Sequence, residues 1–258
     1  MRILIVGDVY SVEGRETLER NLNKLRRELA INFVIVNGEN IAHGSGINEK
    51  YYRFLLNQQV NVVTLGNHAF HNNDIFNFID HADHLVRPLN YPEGVPGKGY
   101  VTINYNHKKI TVFQVVGRTF IPGPWECPFK ATEKLLQEVP SDLYICDFHG
   151  EATSDKVAFG LHFDGRVNII FGTHTHVQTN DARILKNGTM YITDVGMTGS
   201  LEGVIGVQKE MILKRMLTGL PSRHVPASGG LTQFCGMIVD INENTKKVTS
   251  YDILNIIE

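Results

Sequence analysis

Five clusters of acids, amides and imidazoles follow short apolar runs along the chain: Gly7-Asp8, Asn37-Gly38-Glu39-Asn40, Gly66-Asn67-His68, Asp147-Phe148-His149 and Gly172-Thr173-His174-Thr175-His176. Carboxylate and amide oxygens with imidazole nitrogens are the donors that hold divalent cations. Asp8 and Glu39 lie 39 − 8 = 31 positions apart, about one β-α-β unit, which places them at the ends of neighbouring parallel strands roughly 5 Å apart. Two cations about 3.5 to 4 Å apart need a shared carboxylate, and Glu39 is placed to supply it. His174 and His176 are separated by one residue; in an extended chain both rings would point to the same side, one for each cation. Asn67 adds a neutral amide oxygen and His149 a further imidazole. His68 adjoins Asn67 without needing to coordinate, which makes it the candidate general acid for a leaving alkoxide.

Each cluster also has a plainer reading. A lone Asp after a strand is commonly a cap, Gly-Asn-His can be a turn, and a His-x-His pair can decorate a loop. What favours the metal reading is coincidence: five strand ends carry groups suited to one chemistry. Two weaker candidates for substrate contact are His43, in the loop Ala42-His43-Gly44-Ser45-Gly46, and Thr198, in Val195-Gly-Met-Thr-Gly199. Trp125, Phe120 and Phe129 flank a Pro-rich loop and suit the core better than base stacking. His71, His81, His84, His107, His162 and His224 default to surface or structural roles.

The elements that must position these groups follow from apolar periodicity. Residues 2–6, Phe33 to Asn37 and Val60 to Leu65 read as strands, with helices over Glu13 to Leu29 and Glu49 to Gln58 between them. This is a β-α-β-α-β series, and in such sheets the functional crevice lies beyond the carboxyl ends of the strands. Asp74 to His81 reads as a short helix with Ile75, Phe76 and Ile79 inward. Tyr100 to Asn104 and Lys109 to Val116 form a hairpin across Tyr105-Asn106-His107-Lys108. Further helices are expected over Lys130 to Glu138, Ser154 to Leu161 with Ser154 as cap, and Lys209 to Leu217. Strands are expected over Leu143 to Asp147, Val167 to Phe171, Arg183 to Leu185, Met190 to Thr193, Phe234 to Asn242 and Val248 to Leu254. A parallel half followed by a strand-rich half implies two packed mixed sheets with helices outside, in one domain spanning 1–258.

Composition narrows the partners. The 25 Lys and Arg nearly balance 27 Asp and Glu, for a formal net charge of −2, so the chain has no general attraction to nucleic acid or anionic membrane. Cys127, Cys146 and Cys235 are odd in number and form no C-x-x-C pair, which argues against a disulfide framework or zinc ribbon. No signal peptide or span of about 20 apolar residues is evident, so a cytoplasmic setting without membrane contact is expected. Gly7-Asp8-Val9-Tyr10 lacks the G-x-G-x-x-G of a dinucleotide binder. Homo-oligomer formation is a further expectation, with Met211 to Leu231 as contact or lid.

Asp8, Glu39, Gly66-Asn67-His68, His149 and the Gly-x-His-x-His element at 172–176 resemble the calcineurin-like metallophosphoesterases, whose motifs run GDxH, GDxxD, GNH(D/E), a lone His and GHxH. Position 10 is Tyr where the general pattern has His, and Gly38-Glu39-Asn40 stands for the second motif. These departures match a narrower subgroup, the YmdB-like phosphodiesterases, as do Asn37-Gly-Glu-Asn-Ile-Ala-His-Gly-Ser-Gly46, Asp147-Phe-His-Gly-Glu-Ala-Thr-Ser154, Gly172-Thr-His-Thr-His-Val-Gln-Thr179 and Asp194-Val-Gly-Met-Thr-Gly199. The chain departs from subgroup habit at Ser11 to Glu13 and at Phe70-His71.

The resemblance implies a four-layer α/β/β/α sandwich. It also implies one metal on Asp8, Glu39, Asn40 and His176, and a second on Glu39, Asn67, His149 and His174, with Glu39 bridging. Iron is the implied metal; the donor set also suits manganese and accommodates zinc. The implied activity is hydrolysis of 2′,3′-cyclic and also 3′,5′-cyclic nucleotides by a metal-bridging hydroxide. The competing expectation is a regulatory protein that binds a nucleotide or an RNA-processing partner with little turnover.

Overall fold

The computed structural model describes residues 1–258. In chain order its elements are β1 (Arg2–Val6), β2 (Asp8–Val9), α1 (Ser11–Leu29), β3 (Phe33–Asn37), α2 (Glu49–Asn57), β4 (Val62–Thr64), β5 (Leu85–Val86), β6 (Tyr100–Tyr105) and β7 (Lys108–Val116). There follow α3 (Pro128–Glu138), β8 (Leu143–His149), α4 (Thr153–His162), β9 (Ile169–Thr173), β10 (Arg183–Ile184), β11 (Met190–Ile192) and β12 (Met197–Ser200). A small hairpin, β13 (Gly203–Val204) and β14 (Val207–Gln208), leads into α5 (Lys209–Thr218), and the chain closes with β15 (Thr232–Asn242) and β16 (Lys247–Ile257).

Two mixed sheets result. The first has strand order β2-β12-β15-β1-β3-β4-β5, with β16 paired to β15; the second has order β10-β11-β9-β8-β7-β6. Within the first, β1, β3, β4 and β5 are parallel; within the second, β7, β8, β9 and β11 are parallel. Alternation along β1 shows how the sequence builds layers. Ile3 and Ile5 face the second sheet with Phe33, Val112, Ile145 and Ile169, whereas Leu4 and Val6 face Leu18, Leu22 and Leu55 of the outer helices. On the far side, Phe113, Cys146, Phe148 and Ile170 pack beneath Leu135 of α3 and Phe159 of α4. Helices therefore cover both outer faces, giving the expected α/β/β/α order. No helix is long and apolar enough to cross a membrane.

Several local expectations are corrected. α4 begins at Thr153 behind Ala152, with no side-chain cap, so Ser154 is not the cap. Asp155 in its first turn instead accepts hydrogen bonds from the Thr119 backbone and hydroxyl. The stretch from Asp74 to His81 forms two short 3₁₀ turns, and Phe76 stacks on Phe70 near the surface instead of facing inward with Ile75 and Ile79. The β6–β7 turn is tighter than expected. Asn106 (φ +47°) and His107 (φ +61°) both sit in the left-handed region that a two-residue hairpin turn requires. Phe120 is not core: it is 82% exposed, while Trp125 packs on Tyr91 and Phe129 joins the layer under α3 and α4.

Phe33 is fully buried between the sheets. Phe33→Ala is expected to destabilise the protein by about 3–5 kcal/mol, read from the midpoint of urea unfolding at unchanged m-value.

Candidate metal centre

The carboxyl ends of both parallel strand sets open onto one rim. From the first sheet come Asp8 after β1, Glu39 and Asn40 after β3, and Asn67 and His68 after β4; from the second come His149 at the end of β8 and His174 and His176 after β9. Asp8 and Glu39 are almost wholly buried, at 0% and 1% exposure, so neither has water to offset its charge.

The donors fall into two groups. His149 Nε2 lies 2.8 Å from Asn67 Oδ1, 3.2 Å from Glu39 Oε1 and 3.0 Å from His174 Nδ1. Donor atoms of Glu39, His149 and His174 all lie within 4.8 Å of one another. In the other group the Asn40 amide nitrogen is 3.2 Å from Asp8 Oδ1, 3.3 Å from Glu39 Oε1 and 3.1 Å from His176 Nε2, and His176 Nε2 is 3.6 Å from Asp8 Oδ1. Ligands at right angles around an ion with bonds of about 2.1 Å stand about 3 Å apart, so this spacing fits the implied ions. A half-turn of the Asn40 amide places its oxygen among these donors. Glu39 touches both groups.

The histidine pair reaches this arrangement by a route the extended-chain expectation missed. His174 (φ +98°) and His176 (φ +64°) both lie in the left-handed region. The unusual backbone is held by Asp194, whose carboxylate accepts from the Thr175 backbone at 3.1 Å and its hydroxyl at 2.8 Å. Lys156, buried in α4, pairs with Asp194 at 2.9 Å and donates to the Thr173 carbonyl at 2.8 Å. Lys156 looked like an ordinary helix lysine in sequence; Asp194 lay in one of the subgroup motifs, but with no assigned role. The Asp8 carboxylate accepts from the His174 backbone at 3.3 Å, and His174 Nε2 faces Glu151 at 3.1 Å. His176 Nδ1 meets the carbonyl of Ile205, 2.9 Å away in the β13–β14 turn, where Ile205 has φ +47° and Gly206 φ +96°. Tyr10 packs edge-on against His176 and, with Met197, Val207 and Ile212, ties α5 to the rim.

Electrostatics separate the imidazoles. Burial opposes charge on Asp8 and Glu39, yet His176 and His149 beside them hold both carboxyls below their ordinary range. Burial also opposes protonated His149 and His176, but the facing carboxylates prevail, raising His149 and pushing His176 up to about 9. His174 moves down to about 3, through burial and then the neighbouring His149. The facing carboxylates thus favour the charged form of His149 and His176, whereas burial favours the neutral form of His174.

His68 stands at the edge of this cage. Its backbone N–H donates to Glu39 at 3.1 Å, its Nδ1 lies 3.0 Å from Asn40 Oδ1, and its side chain keeps 31% exposure. Burial lowers its pKa, partly opposed by Glu39. His71, expected to be an unremarkable surface residue, stacks on His68 with ring centroids 4.6 Å apart and contacts the Ser45 hydroxyl at 3.0 Å. His43 is exposed on the adjoining loop and edges Tyr51. Thr198 corrects an expectation: it is fully buried in β12, its hydroxyl donating to the Cys235 carbonyl, so it presents nothing to a substrate.

A two-sheet sandwich with an acid, amide and imidazole rim defines a metallophosphoesterase-like protein. The model of the YmdB-like protein family matches residues 4–254, and the chain belongs to that family. A 2′,3′-cyclic-nucleotide 2′-phosphodiesterase of Bacillus subtilis (strain 168) is 46% identical over 254 residues, covering 98% of this chain and 96% of that protein. Among solved structures, a hypothetical protein from Thermus thermophilus aligns with a TM-score of 0.94 at 37% identity, covering 100% of both chains. A novel phosphatase from Mycoplasma pneumoniae aligns with a TM-score of 0.92 at 37% identity, covering 100% of this chain and 93% of that one.

A Cβ at Gly66 would collide with the Glu39 carboxylate and the His149 ring. Gly66→Ala is therefore expected to weaken ion binding by roughly 10- to 100-fold, measured as metal per chain after dialysis against graded free metal. Binding at the Asp8–Asn40–His176 group must also displace the His176 proton, which is held up to about pH 9. Apparent affinity there should rise with pH from 7 and level off above about 9; calorimetric titrations giving one affinity across that range would remove His176 from the ligand set.

Proposed function

We propose that this chain is a dinuclear metal-dependent phosphoric diester hydrolase acting on cyclic nucleotides, 2′,3′-cyclic and also 3′,5′-cyclic. The observation that carries the reading is the buried double donor set, with Asp8, Glu39, Asn40 and His176 for one ion and Glu39, Asn67, His149 and His174 for the other. The likeness to the Bacillus subtilis phosphodiesterase supports the substrate class. Three imidazoles, amide and carboxylate oxygens and no thiolate suit iron or manganese, and zinc also fits the donors. A pair of such ions supplies activated water near neutral pH and neutralises phosphate oxygens.

The remaining steps belong to the chain's own groups. Glu39 fixes the His68 backbone, and the Asn40 amide, turned to give its oxygen to an ion, would set its nitrogen against Nδ1 as a donor, so that the neutral ring carries its proton on Nε2 for the leaving alkoxide. The stacked His71 ring restrains the plane in which that nitrogen turns. His43, on the exposed loop beside Asn40, is the proposed sugar or phosphate contact. We read residues 1–258 as one domain, because the same strands line more than one core layer.

A second reading, a regulatory role through an RNA-processing protein or a second copy of the chain, is favoured by the exposed apolar residues Leu213, Met216 and Leu217 on α5, the last 83% exposed.

The deciding experiment assays 2′,3′- and 3′,5′-cyclic nucleotides, bis-p-nitrophenyl phosphate and matching monoesters with iron and with manganese. Diester turnover is expected; hydrolysis of monoesters alone would reassign the chain as a phosphomonoesterase, and inertness toward all of them would favour the regulatory role. His68→Ala should keep its bound metal and lose about 10²- to 10⁴-fold in diester turnover, whereas loss of metal would move His68 into the coordination shell.

A further inference from the structure

Asp147 belongs to one of the five clusters, yet it lies beneath the rim and contributes no donor atom to either group. Its fully buried carboxylate collects hydrogen bonds from both sheets: Thr64 Oγ1 of β4 at 2.5 Å, Gln114 Nε2 of β7 at 2.8 Å, Asn37 Nδ2 of β3 at 3.1 Å and Thr173 Oγ1 of β9 at 2.6 Å. No cationic side chain pairs with it. All four neighbours approach the Asp147 oxygens as donors, and a threonine hydroxyl has one proton to give. Thr173 spends that proton on Asp147, so toward His149 Nδ1, 2.9 Å away, its oxygen can only accept.

We propose that Thr173 and Asp147 are positioning residues that fix the tautomer of His149, keeping its proton on Nδ1 and its Nε2 lone pair aimed at Glu39, Asn67 and His174. The reading rests on the metal centre proposed above and deepens it. The direction of the chain follows from its far end. Were Asp147 unable to accept, the Thr173 hydroxyl would turn and donate to Nδ1, sending the imidazole proton to Nε2 and blocking that nitrogen as a ligand. Thr173 is itself firmly held. It is fully buried, its carbonyl accepts from Lys156 at 2.8 Å, and the preceding Gly172, where a Cβ would strike the Thr193 carbonyl, lets β9 lie close against the chain that follows β11.

The test follows imidazole ¹⁵N resonances and zinc binding together. In the wild-type zinc form, His149 is expected to carry its proton on Nδ1; a proton on Nε2 would overturn the proposal without any variant. Thr173→Val, similar in size but without the hydroxyl, should bind the second ion about 10- to 100-fold more weakly and leave the first ion's affinity unchanged, while Thr173→Ser should restore both the affinity and the His149 signature. Thr173→Val binding two ions like wild type, or losing both equally, would refute the relay. Wild-type protein that takes up fewer than two ions would instead refute the metal reading on which it rests.

Discussion

Two carboxylates, Asp8 and Glu39, are carried out of solvent within hydrogen-bonding reach of a common neighbour, Asn40. Buried charge is tolerated only when paired, and both acids come from the first sheet. Their imidazole partners, His149 and His176, come from the second sheet or from the loop after it. The centre is therefore also a seam: neither sheet can satisfy its rim alone, and the inter-sheet core sets their separation so that imidazole meets carboxylate. Below the seam, Asn37 and Thr64 of one sheet reach Asp147 of the other.

The layering of two sheets between helices and the convergence of the polar clusters on one rim were legible because both depend on short-range pattern. The unbroken apolar run of β1 states that both its faces are buried, leucines three or four apart in α1 state which face the helix buries, and five polar clusters directly after apolar runs state where the rim must be. The limits of individual elements were less legible. Asp74 to His81 carries helical spacing, yet tight turns satisfied by Asn72 and Asp74 side chains give 3₁₀ geometry and free Phe76 to stack on Phe70. The start of α4 is set by packing, with Asp155 recruited to another loop.

The supporting groups of the centre were hidden for a different reason. Lys156 sits on a helix whose sequence gives no cue that its ammonium is buried, and its partner Asp194 is 38 residues away. His71 looked like loop decoration until the turn after β4 folded it onto His68. Likewise, the left-handed backbone at His174 and His176 is imposed by Asp194 and Asp8 through tertiary contacts, and no local signal announces it.

The turn that presents the Ile205 carbonyl has a mechanical meaning. A β-branched residue in left-handed conformation costs of order 1–3 kcal/mol, so this hairpin is a loaded spring held shut by its neighbours. Its latch is the Nδ1 of His176, and its lever is α5, anchored through Ile212 and Tyr10. A short chain of contacts thus links a surface arm to a ring deep in the rim, and the aim of that buried nitrogen is set from outside the two sheets.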